Sequence, residues 1–156
     1  MEDNLVTTYA VLRRVAETVS AHRAPGAMLV LVRSAAPGAR RYKAGYDAAK
    51  AAAESLTRSF ALEYGPLHMS TRAAIAIGPI DDSSNTSADG VNLDALVRDV
   101  ALQRCATLAE VVHAVAVLAT PVFDFANGAT HLFDGGLAQQ LRSHAIERPP
   151  EDLGVR

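Results

Sequence analysis

Tyr46 and Lys50 stand four residues apart in the segment Gly45-Tyr46-Asp47-Ala48-Ala49-Lys50. On a helix that spacing puts a phenol and an ammonium on one face. A cation held beside a phenol favours the phenolate, which eases proton transfer near neutral pH. A third chemical group, the Ser34 hydroxyl, comes just ahead of them, separated by a loop that contains Pro37 and Gly38. Each residue also has a plainer reading when taken alone. Tyr46 can simply cover a helix face, Lys50 can be a solvated surface charge, and Ser34 can satisfy loop backbone.

The elements that must position these groups follow from the patterning. Ala27-Met28-Leu29-Val30-Leu31-Val32 is an apolar run of strand length, the pattern of a parallel strand buried on both faces, and it delivers Ser34 at its C-terminal end. A helix is expected from about Tyr46 to Tyr64, opened by the strongly helix-forming Ala48, Ala49, Ala51, Ala52 and Ala53 and stopped at Gly65-Pro66. Ahead of the strand, Leu5, Tyr9, Leu12, Val15 and Val19 predict an amphipathic helix from Leu5 to about Arg23, ended by Pro25-Gly26. Thr71 to Ile77 reads as a second buried strand and Gly128 to Phe133 as a third. Helical periodicity runs from Val91 to Leu102, and Thr107-Leu108-Ala109-Glu110 has capping-box spacing for a helix ending near Ala119. Ser83 to Gly90 is a polar loop, and the chain from about Arg142 is a polar tail. Strands alternating with helices predict an α/β fold with about three parallel strands and flanking helices. Residues 1–156 are expected to form one domain.

Composition narrows the function. With 49% hydrophobic and 21% charged residues the sequence is typical of a soluble globular protein, and a formal net charge of -2 gives no reason to expect nucleic acid or an anionic membrane. The lone cysteine, Cys105, has no internal disulfide partner, which suits a reducing, cytoplasmic setting, and it reads as a small buried hydrophobe. His22, His68, His113, His131 and His144 are scattered without an i, i+4 pair, so no metal site is expected. Asp81, Asp82, Asp89 and Asp94 read as a hydrated loop and helix start. Arg40, Arg41 and Lys43 form a short basic cluster, read as a solvated loop.

Taken in order, these motifs resemble the catalytic half of the short-chain dehydrogenase/reductase family. Tyr46 to Lys50 is similar to its Tyr-x-x-x-Lys helix opening, and Ser34 falls at the position of its substrate-orienting serine. Asn4 resembles the asparagine that opens the preceding helix. Ile75 to Ile80 is similar to its Pro-Gly-containing turn, and Asp134-Gly135-Gly136 to its closing motif. The resemblance implies a Rossmann-like fold and a catalytic set of Asn4, Ser34, Tyr46 and Lys50. In that family the tyrosine is the acid/base for ketone reduction or alcohol oxidation, and the lysine assists it and holds the nicotinamide ribose. The serine orients the substrate oxygen, and the asparagine supports a relay water. The implied cofactor contacts in this sequence are Lys50, Gly78 and Ile80.

The same resemblance shows departures. A dinucleotide fold needs a glycine-rich first βα turn so that backbone can approach the pyrophosphate, and no G-x-G-x-x-G occurs in the sequence. The family's first βαβαβ half, on the order of 100 residues, has no counterpart. Ile77 stands where the family usually has proline, Ala73 where asparagine is common, and Asp82 near its threonine. The implied picture is a truncated member that binds no cofactor alone. It would pair through helices 5–23 and 46–64 with a full-length homologue that binds NAD(P). Two alternatives stay open: Ser34, Tyr46 and Lys50 completing a composite site with another chain, and a self-associating non-catalytic remnant.

Overall fold

The computed structural model describes residues 2–22, 28–34, 41–67, 70–81 and 93–142, with residues 2–3, 28–34 and 70–77 described by their backbone. Helix α1 spans Thr7–Ala21, strand β1 Met28–Ser34, helix α2 Ala44–Tyr64 and strand β2 Ser70–Ile77. Two-residue strands β3 (Ile80–Asp81) and β4 (Ala106–Thr107) flank helix α3 (Leu93–Asp99). Helix α4 (Leu108–Leu118) and strand β5 (His131–Phe133) complete the order. The main sheet has the order β1-β2-β5 and is parallel throughout. The α/β architecture with three parallel strands and flanking helices is therefore as the sequence predicts.

Among the boundaries that differ from expectation, three have a visible structural cause. Leu5 lies in a π-helical turn, Glu2–Val6, and regular α-helix begins at Thr7. There the Thr8 hydroxyl donates to the Asn4 carbonyl at 3.1 Å, competing for an acceptor that a helical N–H would use. The third strand starts at His131 instead of Gly128, because Gly128 sits at φ +75° in a turn tied to α2 by Asn127, whose Nδ2 donates to the Ala61 carbonyl. Helix α3 stops at Asp99; its continuation bends away so that the Leu102 N–H reaches the Gly135 carbonyl. The short β3–β4 pair has no counterpart in the sequence reading. Ser83 to Gly90, the tail from residue 143 and the ends of several expected elements (Arg23, Ala27, Val91, Asn92) lie outside the described residues.

Helix α2 is the centre of the packing. Ala49, Ala53, Thr57, Phe60 and Ala61 are its buried residues, spaced four, four, three and one apart. At 3.6 residues per turn they fall in one stripe. The alanines let the helix approach the sheet closely, and Thr57 satisfies its hydroxyl within the helix by donating to the Ala53 carbonyl. The stripe's C-terminal end meets α1: Phe60 packs with Leu12 and Ala16, edge-on to Tyr9 and stacked on Tyr64. A second cluster forms where Val111 and Leu118 of α4 cover Ile80, Ala106 and Phe133.

Phe60 is 2% exposed and joins α1 to α2. Phe60→Ala is expected to cost about 3–5 kcal/mol, read as a lower denaturant midpoint at unchanged slope. A loss below about 1 kcal/mol would show that the α1–α2 contact collapses onto the cavity.

Candidate active site

The site is built where the parallel strands end together. Register pairs Ser34 with Ile77 across β1 and β2, and Ile77 with Phe133 across β2 and β5. A register shift sets this alignment: β2 advances from Arg72 to Ile75 while β1 advances only from Val30 to Val32. The extra β2 residue is a bulge, a device that re-aims a strand end. Without it Ser34 would lie opposite Ala76.

Immediately past these ends, two glycine turns cross. The Gly78 N–H donates to the Phe133 carbonyl at 3.1 Å, and a Cβ on Gly78 would lie 2.9 Å from the Asp134 Cα. Only glycine permits that approach. Asp134 is buried, and its carboxylate accepts from the Gly136 N–H at 2.9 Å and the Ala138 N–H at 2.8 Å. Gly135 and Gly136 take φ +62° and +90°, and side chains there would strike Val100 and Ala101. A cavity of about 210 Å³ opens between the two turns, lined among others by Pro79, Arg104 and Cys105. Cys105 is half-buried where a small buried hydrophobe was expected; burial pushes its thiol up, with Asp81 adding to the shift, which favours the neutral thiol.

Tyr46 and Lys50 come from the first turns of α2. Both are half-buried, and the Lys50 Nζ lies 5.2 Å from the centroid of the Tyr46 ring. The helix supplies this geometry: the two side chains belong to the same stripe as Ala53 and Thr57, within about 60° on the helical wheel. Since α2 starts from the C-terminal edge of the sheet, the stripe begins at the strand ends with a phenol and an ammonium and turns apolar where it covers the strands. Tyr46 and Lys50 do not line the 210 Å³ cavity. Of the other expected site residues, Ser34 closes β1 and is described by backbone only. Asn4 lies in the π-turn, which packs against α2, and Ile80 starts β3. Arg40 lies outside the described residues, while Lys43 precedes α2 and accepts the Asp47 N–H through its carbonyl.

Residues unmarked in the sequence complete the arrangement. Arg104 forks onto Glu110, with Nη1 2.9 Å from Oε2 and Nη2 2.6 Å from Oε1. Glu110 also accepts from the Thr107 N–H and hydroxyl, while the Thr107 hydroxyl accepts the Glu110 N–H, closing the predicted capping box. Arg104 and then Thr107 hold the Glu110 carboxyl down at about 2. The capping spacing was legible; nothing in the sequence pointed to Arg104, six residues upstream in an irregular stretch.

A family model described as enoyl-(acyl carrier protein) reductase matches residues 1–138, and solved structures of the same fold align along most of the chain. The chain belongs to the short-chain dehydrogenase/reductase family. Among curated relatives, peroxisomal 2,4-dienoyl-CoA reductase of Pongo abelii is 34% identical over 91 residues, 56% of this chain and 31% of its own length. The cyclic-di-GMP-binding biofilm dispersal mediator protein of Escherichia coli K12 is 33% identical over 123 residues, 77% of this chain and 51% of its own. A 4-hydroxyisoleucine dehydrogenase complexed with NADH superposes with TM-score 0.76 at 22% identity, covering 88% of this chain and 57% of that one. An oxidoreductase of the family from Burkholderia thailandensis gives 0.74 at 25%, covering 88% and 53%. This short-chain dehydrogenase/reductase thus spans about half the length, or less, of these relatives.

A nicotinamide dinucleotide is the cofactor the family implies. The residues described do not make a complete seat for it: Tyr46 and Lys50 pair on α2, apart from the cavity that the Gly78 turn borders, and the sequence has no glycine-rich turn to cradle a pyrophosphate. Among the described residues there is no cluster of His, Cys, Asp and Glu placed to hold a metal ion, and no helix long and apolar enough to cross a membrane.

Two measurements probe the geometry. Gly78→Ala is expected to destabilise by about 1–3 kcal/mol because backbone must move, whereas Gly45→Ala, with nothing within 4 Å of the new Cβ, is expected to be neutral or to stabilise. Equal effects at both positions would remove the close crossing. The Glu110 carboxyl titrates below its usual 4.5 in the folded chain. Its contribution to stability is accordingly complete above about 4.5 and is lost as pH falls towards about 2. A carboxyl NMR titration should place the Glu110 midpoint near 2; a midpoint at 4.5 would mean that the fork is open in solution.

Proposed function

We propose that this chain serves as an accessory subunit of a heteromeric short-chain dehydrogenase/reductase. It pairs through α1 and α2 with a full-length homologue that binds NAD(P) and reduces a ketone or oxidises an alcohol. The observation that carries the reading is the face those two helices present. An apolar groove of about 410 Å³ runs between them, lined by Leu5, Val6, Tyr9, Leu56 and the small residues Ala52 and Ser55. Val6, just ahead of α1, and Val11 and Val15 within it are exposed. Among the described residues β1 is hydrogen-bonded on one side only, which leaves a second surface that calls for cover.

A second reading rests on the intact Lys50–Tyr46 pair. Here Ser34, Tyr46 and Lys50 complete a composite oxidoreductase site whose nucleotide-binding half comes from another chain. Tyr46 holds and releases the proton at its phenol oxygen, Lys50 sets the charge beside it, and the Gly78–Ile80 turn borders the nicotinamide end. The bound nucleotide would supply the hydride chemistry.

Native mass spectrometry on tagged protein purified from its own host tests the proposal. A complex containing a full-length homologue is the expected result; a homo-oligomer without nucleotide would sink it and leave the non-catalytic remnant. In the complex, Tyr46→Phe is expected to leave turnover within about twofold if the chain only shapes its partner. A loss of roughly a hundredfold or more would assign the proton transfer to Tyr46.

A further inference from the structure

The two glycine turns at the strand ends are linked by the segment that returns from α3 to α4. The Leu102 N–H donates to the Gly135 carbonyl at 3.2 Å, and the Ala106 N–H to the Pro79 carbonyl at 2.9 Å. Strand β4 then pairs with β3, Ala106 opposite Ile80 and Thr107 opposite Asp81. Two residue pairs are too short a ladder to hold itself, since strands of such length gain little from pairing. Something outside the ladder must fix β4. The bonds on its C-terminal residue do so: Thr107 is held by Glu110 through its N–H and its hydroxyl, and Glu110 is gripped by both arms of the Arg104 guanidinium. Arg104 also donates to the Cys105 carbonyl, one residue before β4. The guanidinium therefore clasps β4 from both ends and borders the cavity between the glycine turns.

We infer that Arg104 positions the Gly78–Ile80 turn, acting through Glu110, Thr107 and the β4 backbone, and so sets how tightly the strand-end site holds a nucleotide. The nucleotide part rests on the composite-site reading above; the positioning part does not. Geometry makes arginine the fitting residue. Lysine keeps the charge but has no planar fork, and cannot grip both carboxylate oxygens while also donating to a carbonyl.

The test uses the full chain, in its complex where one is recovered, with Arg104→Lys and, as a second variant, Glu110→Gln. Amide exchange should quicken about three- to fivefold at Ala106 and at Gly78, the modest change an exposed pair carries. Exchange in α1 and α2 should stay as it was. Unchanged exchange at Ala106, or faster exchange throughout the chain, overturns the positioning role. In the complex, the KM for the nicotinamide nucleotide should rise a few-fold with kcat little changed. An unmoved KM overturns the nucleotide part in a complex that Tyr46→Phe inactivates. If Tyr46→Phe is silent as well, it is the composite-site reading that fails, and the nucleotide part falls with it.

Discussion

The C-terminal half of the structure depends on one steric constraint, the crossing of backbone at Gly78 and Asp134. A hydrogen bond from the Gly78 N–H to the Phe133 carbonyl draws two chain segments to a separation that leaves no room for a Cβ. Because the approach is so close, the chain leaving β5 must turn at once. It does so with two glycines in left-handed conformation, and the Asp134 carboxylate takes up the amides that the turn exposes. The returning segment from α3 is placed by the same turn, since Leu102 bonds to Gly135 and Val100 packs where a Gly135 side chain would stand. Moving any one of these parts moves the others. A small cavity persists at the crossing because the elements around it are held by backbone bonds and cannot collapse into it.

Helix α2 meets a second demand. One stripe has to cover a parallel sheet and also place a phenol and an ammonium in its first turns. The chain solves this along the length of the helix: Tyr46 and Lys50 occupy the stripe where it begins, at the strand ends, and Ala49, Ala53, Thr57 and Phe60 continue it. Their half-buried setting follows directly. A phenol and an ammonium at the first turns keep contact with solvent, while the next turn is closed by alanine. Thr57, the polar group inside the stripe, bonds to its own helix and asks nothing of the sheet.

How much of this was readable depends on how local the cause is. Strands β1 and β2 announced themselves as apolar runs, α2 as an alanine-rich segment between a loop and Gly65-Pro66, and the start of α4 by its capping box. Tyr46 and Lys50 were found because a spacing of four is itself the geometry. Causes that lie far along the chain were invisible. Residue types do not announce the bulge that brings Ser34 opposite Ile77, since it belongs to the pairing of two strands. Strand β5 begins late because Asn127 reaches Ala61, 66 residues away. Strands β3 and β4 have two residues each and exist only because the return from α3 brings them together. Arg104 had no pattern to betray it: its partner is six residues on, neither a helical nor a strand spacing.

Among the described residues β1 has one pairing neighbour, which makes its composition informative. The sequence Met28-Leu29-Val30-Leu31-Val32 is apolar at every position, the composition of a strand covered on both faces and paired on both sides. Among the described residues it pairs only with β2, and an apolar strand left unpaired on one side is the kind that recruits other strands. No charge or proline between Met28 and Val32 blunts it; the first charge is Arg33. The same physics applies to the α1–α2 groove, whose lining is apolar and small. Covering the unpaired side of β1 and the α1–α2 groove would return apolar area from water at about 25 cal/mol per Å². Since Ala52, Ser55 and Leu56 of α2 line that groove, its burial would also steady α2, and with it the helix turns that carry Tyr46 and Lys50.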